Sequence, residues 1–133
     1  MIRACKDGGR IIISVPSEDS FLKYAINSVL NLPPHHVTRW PDKTFYYLSE
    51  KYSLDIELIH HERVQSIHKA WFLSTFFSVL LRNHKVVDLT LKTRLFMKII
   101  NYFSEKLSER IPDELLPYGH SVIVIFRKGG YIL

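Results

Sequence analysis

Three stretches of the chain carry the apolar patterns of β-strands. Arg10 to Val15 follows an Asp7-Gly8-Gly9 turn as a β-branched run that is ended by Pro16. This run lacks polar alternation, so both of its faces should be buried, as in an interior strand of an α/β sheet that helices cover on both sides. Leu54 to Val64 alternates well enough to predict a second strand. His120 to Arg127 predicts a third strand, which is a continuous apolar run like the first.

Apolar residues at helical spacing fill the intervals between these strands. Serine and acidic residues that can cap a helix precede a predicted helix at about 19–30, which ends before a Pro-Pro break. Pro41 suits the first turn of a short amphipathic helix. Residues 66–83 and 90–110 predict two longer helices. The predicted order of elements is therefore β-α-α-β-α-α-β.

The amino-acid composition limits the classes of protein to which the chain can belong. A chain of 133 residues with 47% hydrophobic and 23% charged content is typical of a globular protein, and we expect a single domain over residues 1–133. Cys5 is the only cysteine and cannot close an intramolecular disulfide, which favours a reducing compartment. The first ten residues have no apolar core of a signal peptide, and the apolar stretch from Ala70 to Leu81 is too short to span a membrane. We expect a cytoplasmic protein.

The net charge of +5 comes from basic residues that are spread along the chain. They form neither a run nor an aromatic-interleaved groove, so no nucleic-acid partner is expected.

Two stretches carry a family resemblance. Residues 7–16 read Asp-Gly-Gly-Arg-Ile-Ile-Ile-Ser-Val-Pro, and residues 32–40 read Leu-Pro-Pro-His-His-Val-Thr-Arg-Trp. Together with the strands at 55–61 and 120–128, they resemble the C-terminal half of the class I S-adenosylmethionine-dependent methyltransferases of the ubiquinone-biosynthesis-like kind. The second stretch is the most specific match.

The resemblance implies a partial Rossmann-like sheet within an α/β fold. Its strands would be the family's fifth, seventh and sixth in spatial order, with the last strand in sequence central and antiparallel. Residues 66–111 would form a helical-hairpin insert. The chain contains neither a Gly-x-Gly-x-Gly turn nor the acidic residue that ends the family's second strand and binds the cofactor ribose. We therefore expect the C-terminal half of such an enzyme, without the half that binds S-adenosylmethionine and inactive alone.

The same resemblance suggests candidate site residues. Ser14, Val15 and Pro16 would lie beside the cofactor in a complete enzyme, and the segment from His35 to Trp40 would form part of the acceptor wall. The substrate-binding candidates in that segment are His35, His36, Arg39 and Trp40. Such a site would bind a small methyl acceptor.

These candidates also have structural interpretations. A guanidinium beside an aromatic ring, as in Arg39 and Trp40, suits an anionic or planar substrate, but a tryptophan packed on the sheet is an equal alternative. His35 and His36 are adjacent in an extended segment and point to opposite faces, so a shared metal ion is not expected. The catalytic residues are not identified by the sequence.

The predicted insert has its own alternatives. Aromatic and aliphatic residues crowd both of its helices, and Lys92, Arg94 and Lys98 lie on the other side of the second helix. This pattern suits a hairpin packed on itself and on the sheet, a cover over an apolar acceptor, or contact with a membrane surface. The insert therefore supports an alternative function, a non-catalytic binding module that pairs with a partner chain or a membrane.

The first strand also suggests self-association. Without a neighbouring fourth strand, the apolar backbone edge from Ile11 to Val15 would be unpaired and could pair with another chain.

Overall fold

The computed structural model of the chain describes residues 1–26, 37–82 and 87–129. In this part of the chain, three strands and three α-helices follow one another, with short 3-10 turns between them. The strands are β1 (Arg10–Pro16), β2 (Leu54–Arg63) and β3 (Tyr118–Lys128), and the helices are α1 (Asp42–Tyr52), α2 (Lys69–Arg82) and α3 (Leu91–Ser108). The fold is α/β, as predicted.

The three strands form one sheet in the order β1-β3-β2. Both outer strands pair antiparallel with β3, so β1 and β2 run parallel to each other. This is the spatial order predicted for the three strands, with the last strand of the sequence in the centre. The register pairs Ile13 with Val124 on one side of β3 and Ile59 with Val124 on the other.

A core lies between one face of the sheet and α1. Phe45 of α1 is fully buried and packs against buried side chains of all three strands. The buried members of this cluster are Ile11, Phe45, Leu54, Val122, Val124 and Phe126. These strand residues sit at alternate positions, since the side chains of a strand point to opposite faces in turn.

The opposite face of the sheet departs from the prediction. The continuous apolar run of β1 indicated burial on both faces, but Ile12 is 61% exposed, and Leu58 and Ile123 are also exposed. No described helix covers this face, because α1 packs on the core face and the two longer helices pack beyond the strand ends. The prediction that helices cover both faces is therefore wrong for the described residues.

The segment after β1 also differs from the prediction. In place of an α-helix at 19–30, the described residues form a 3-10 turn at Phe21–Tyr24. The hydroxyl of Ser20 accepts a hydrogen bond from the Leu22 amide, and the carbonyl of Leu22 accepts bonds from the Ala25 amide and the Arg39 guanidinium. These bonds stabilise a 3-10 turn, in which hydrogen bonds join residues i and i+3 and the backbone is wound more tightly than in an α-helix. Residues 27–30 lie outside the described part of the chain.

The remaining predicted elements are confirmed within a few residues. The short helix after Pro41 is α1, which ends at Ser53 in the left-handed conformation (φ 50°) that glycine usually supplies. The two predicted longer helices are α2 and α3. A second apolar cluster joins α2 to the strand ends through Phe21, Leu22, Val64 and Leu116. Among the described helices, none is both long enough and apolar enough to cross a membrane.

Candidate functional site

The site lies where the carboxyl ends of β1 and β2 meet. Since these strands are parallel, Pro16 and Arg63 end at the same edge of the sheet, where β3 begins at Tyr118. In open α/β sheets, ligands bind in the crevice beyond the carboxyl ends of the strands. A binding site is therefore expected at this edge.

Hydrogen bonds fix the chain as it leaves β1. Ser17 is fully buried, and its amide donates to the carbonyl of His120 at 2.8 Å. Its carbonyl accepts from the hydroxyl of Ser20 at 2.7 Å. The Oδ2 atom of Asp19 accepts from the Asp42 amide at 2.7 Å, which caps the first turn of α1 from a distant part of the sequence. The turn after β1 and the start of α1 are thus held together.

The structure places Arg39 and Trp40 beside this turn. The Trp40 amide donates to the carbonyl of Pro16 at 2.9 Å, and its ring stacks on Phe45 with 6.0 Å between the ring centres. The guanidinium of Arg39 lies 2.6 Å from a carboxylate oxygen of Glu18. In this arrangement Trp40 packs against the core, and the charge of Arg39 is already paired.

The other predicted site residues precede the turn after β1 or belong to the segment before Arg39. Ser14 is exposed on the face of the sheet opposite the core, while Val15 is partly buried against the core cluster. Pro16 is brought next to Trp40 by the hydrogen bond described above. His35 and His36 lie outside the described residues.

An apolar cavity opens at this edge, between the 3-10 turn after β1 and helix α2. Its volume is about 520 Å³, within the range of small-molecule sites. The walls are formed by Asp19, Ser20, Phe21, Lys23, Tyr24, Phe72, Thr75, Phe76, Val79, Pro117 and Tyr118. Aromatic rings dominate, with one carboxylate and one ammonium among them. The cavity suits an apolar or aromatic molecule that carries a polar group.

A second cleft of similar volume lies nearby but has a different lining. It runs between the end of β2 and the turn at Asp113–Leu115, and five of its seven lining residues are charged or polar. Hydrogen bonds from Lys69 and Ser66 hold the pKa of the Asp113 carboxyl below its usual range. Lys69 also donates to the carbonyl of Ile111 at 2.7 Å. These contacts connect the start of α2 to the segment that follows α3.

Three histidines lie at this edge of the sheet, and sequence reasoning assigned them no role. His61 Nε2 lies 3.0 Å from Asp42 Oδ2, and its side chain is only 11% exposed. His120 Nδ1 lies 3.1 Å from Glu62 Oε1, and the rings of His68 and His120 meet edge to face at 4.7 Å between centres. The indole of Trp71 contacts both of these rings.

This cluster has unused hydrogen-bonding capacity. His61 Nδ1, His68 Nδ1 and Trp71 Nε1 are buried and have no hydrogen-bond partner among the described residues. Buried polar atoms are nearly always paired in folded proteins, so these three nitrogens are exceptions. One sequence signal was available for His120, which shares the alternate positions of Val122 and Val124 and therefore points to the core face. His61 gave no such signal, because a bulge between Ile56 and Leu58 shifts its alternation.

Two of the described glycines are enclosed by other parts of the chain. A side chain at Gly9 would collide with the chain's own Cys5 and Lys6, and one at Gly119 would collide with Arg63. Gly8 faces open space but precedes β1, at the opposite edge of the sheet. Gly9 and Gly119 therefore serve the packing of this chain. Among the described residues, no three histidine, cysteine or acidic side chains are grouped to hold a metal ion.

Comparison with known proteins adds no relative to these observations. No family model, curated protein or solved structure matches the chain.

Proposed function

We propose that this chain forms the acceptor side of an S-adenosylmethionine-dependent methyltransferase with a Rossmann-like sheet. The topology of the sheet carries this proposal. Two parallel strands with an antiparallel third strand between them are what the resemblance at residues 7–16 and 32–40 implies for the end of such a sheet. The free side of β1 would then adjoin the strand that precedes it in the complete sheet.

The backbone of β1 is suited to such a neighbour. The amide of Ser17 donates to β3, so by the alternation of a strand the amides of Ile11, Ile13 and Val15 also face β3. The amides of Ile12 and Ser14 then point to the outer edge, where no described residue accepts a hydrogen bond from them. Beside this edge, the exposed apolar side chains of Ile12 and Ile123 offer a surface for a covering helix.

The cavity beside α2 would bind the methyl acceptor. Its aromatic walls exclude water from an apolar acceptor, while Asp19 and Lys23 can orient a polar group at the rim. Positioning of this kind accounts for much of the rate in reactions that need little other chemistry from the protein. S-adenosylmethionine would supply the methyl group, and residues other than the described ones would have to bind it.

A chimera tests this proposal. The chain is joined behind the cofactor-binding half of a Rossmann-like methyltransferase of known structure, so that the fourth strand of that half precedes β1. We expect the chimera to bind S-adenosylhomocysteine in calorimetry and to protect the Ile12 and Ser14 amides from hydrogen exchange. At a concentration low enough to keep it monomeric, the chain alone should show neither effect.

The control is the variant Ile12→Pro, which removes an outward amide without removing a bond to β3. It should leave the fold of the chain alone intact and abolish the protection of Ser14 in the chimera. A chimera that binds the cofactor while both β1 amides exchange freely would contradict the proposal. So would saturable one-to-one binding of S-adenosylmethionine by the chain alone.

A further inference from the structure

Helix α3 exposes several large apolar side chains on one of its faces. Leu91 is 82% exposed and Leu95 is 60% exposed, and Ile99 and Tyr102 are also exposed. Steps of four, four and three residues place these four side chains on one face of the helix. Phe103 continues this face along its edge. We call these five residues the α3 apolar face.

The buried side of α3 carries both polar and apolar residues. Thr93, Ile100 and Ser104 are buried there, on the side of α3 opposite the apolar face. From α2, the hydroxyl of the buried Ser74 donates to the Asn101 side chain. Large apolar residues therefore lie on both sides of α3, and those on the exposed side are open to solvent.

Positive charge accompanies this face. The two helices contain six basic residues, Lys69, Arg82, Lys92, Arg94, Lys98 and Lys106, and Glu105 as the only acidic one. Lys92, Arg94, Lys98 and Lys106 are exposed on α3. By their helical positions, Arg94 and Lys98 lie along one border of the apolar face, and Lys92 and Lys106 lie among its members. An anionic surface complements this distribution.

We propose that the α2–α3 hairpin lies on an anionic lipid surface, with α3 in the plane of the membrane and its apolar face inserted into the headgroup boundary. The lysines favour lipid over a protein partner. Protein interfaces are depleted of lysine in their centres, whereas at a bilayer the stem of a lysine can lie along the acyl boundary while its ammonium reaches the phosphates. Apolar contact and attraction to anionic headgroups then act together. This role is independent of the proposed methyl transfer.

Vesicle flotation of the full chain tests the proposal. Vesicles of phosphatidylcholine alone are compared with vesicles that also contain phosphatidylglycerol. We expect at least about tenfold tighter binding to the anionic vesicles, and a loss of most of this difference at high salt, since salt screens exposed charges. Equal binding to both vesicles, or binding to neither, would overturn the proposal.

The variant Leu91→Ser/Leu95→Ser removes part of the apolar face without changing charge. It should weaken binding by about tenfold or more, because each leucine loses its burial in the lipid. The matched control is Ile12→Ser/Leu58→Ser, which removes two exposed apolar side chains from the open face of the sheet. Circular dichroism verifies that both variants fold. The proposal fails if the control loses as much binding as the α3 variant.

A single substitution gives a readout that does not depend on weakened binding. Tyr102→Trp places an indole on the apolar face, and brominated lipids should quench its fluorescence in anionic vesicles beyond the quenching of Trp40 and Trp71 in the parent chain. No added quenching would overturn the proposal. The proposal would also be overturned if the chain formed a dimer without lipid and Leu91→Ser/Leu95→Ser made it monomeric, since a second copy would then cover this face.

Discussion

Among single side chains, Asp19 has a large structural effect for an exposed residue. Its carboxylate accepts from the Asp42 amide and so joins the turn after β1 to the first turn of α1. We predict that Asp19→Ala lowers the free energy of unfolding by about 1 kcal/mol, the usual effect of losing a helix cap. Asp19→Asn should recover most of this loss because the amide oxygen can accept the same bond. Urea unfolding followed by circular dichroism measures both, and an unchanged Asp19→Ala variant would contradict the assignment.

Glu57 links all three strands through two arginines. Its carboxylate oxygens lie 2.6 Å from Arg10 Nε of β1 and 2.8 Å from Arg127 Nε of β3. The hydrogen bond from Arg10, together with the positive charges of Arg10 and Arg127, lowers the pKa of Glu57 below its ordinary value, although partial burial opposes this shift. A carboxyl with a lowered pKa in the folded protein stabilises the fold above its unfolded pKa, which is about 4.3 for glutamate, and the effect is lost as the pH falls through the folded pKa.

We therefore predict that Glu57→Gln is less stable than the parent chain at neutral pH and that the difference disappears in acid. Urea unfolding between about pH 3 and pH 7 measures this difference across the ordinary range of a glutamate pKa. The control is Glu50→Gln at an exposed position of α1. A Glu57→Gln variant that keeps the parent stability at neutral pH would show that the two arginine contacts do not stabilise the fold.

At the scale of elements, the cavity is shaped by the 3-10 turn after β1 and by helix α2. Val79 lies on α2 in its wall. We predict that Val79→Trp fills the space and weakens the binding of uncharged phenols by about tenfold or more, because close-packed volume excludes the ligand. Ligand-observed NMR with a series of phenols measures this. Ile12→Trp, on the open face of the sheet, is the control, and equal binding by both variants would place the ligand elsewhere.

The elements also show what could be predicted from the sequence. Periodicity identified the strands and the two longer helices because β-branched runs and helical spacing are local properties. It failed for the burial of β1, because whether a strand face is covered depends on residues elsewhere in the chain. It failed for the turn at Phe21–Tyr24 because the bonds that tighten this turn include one from Arg39. The three histidines were missed for a similar reason, since a bulge of β2 and the 3-10 turn before α2 place His61 and His68 at this edge.

At the scale of the whole molecule, the outer edge of β1 and the open face beside it are the surfaces that most need a neighbour. The Ile12 and Ser14 amides are directed outward, next to exposed apolar side chains, and such edges pair readily with another chain. We predict that the chain alone self-associates through this edge as its concentration rises. Ser14→Lys should weaken this association by roughly tenfold, because an edge lysine opposes pairing through charge.

The control is Leu115→Lys, which adds the same charge at an exposed position in a 3-10 turn outside the sheet and should leave the association unchanged. Sedimentation velocity over a concentration series distinguishes these outcomes. A monomer at every concentration would show that the edge is inert by itself, and equal effects of the two lysines would indicate general charge repulsion in place of a specific edge.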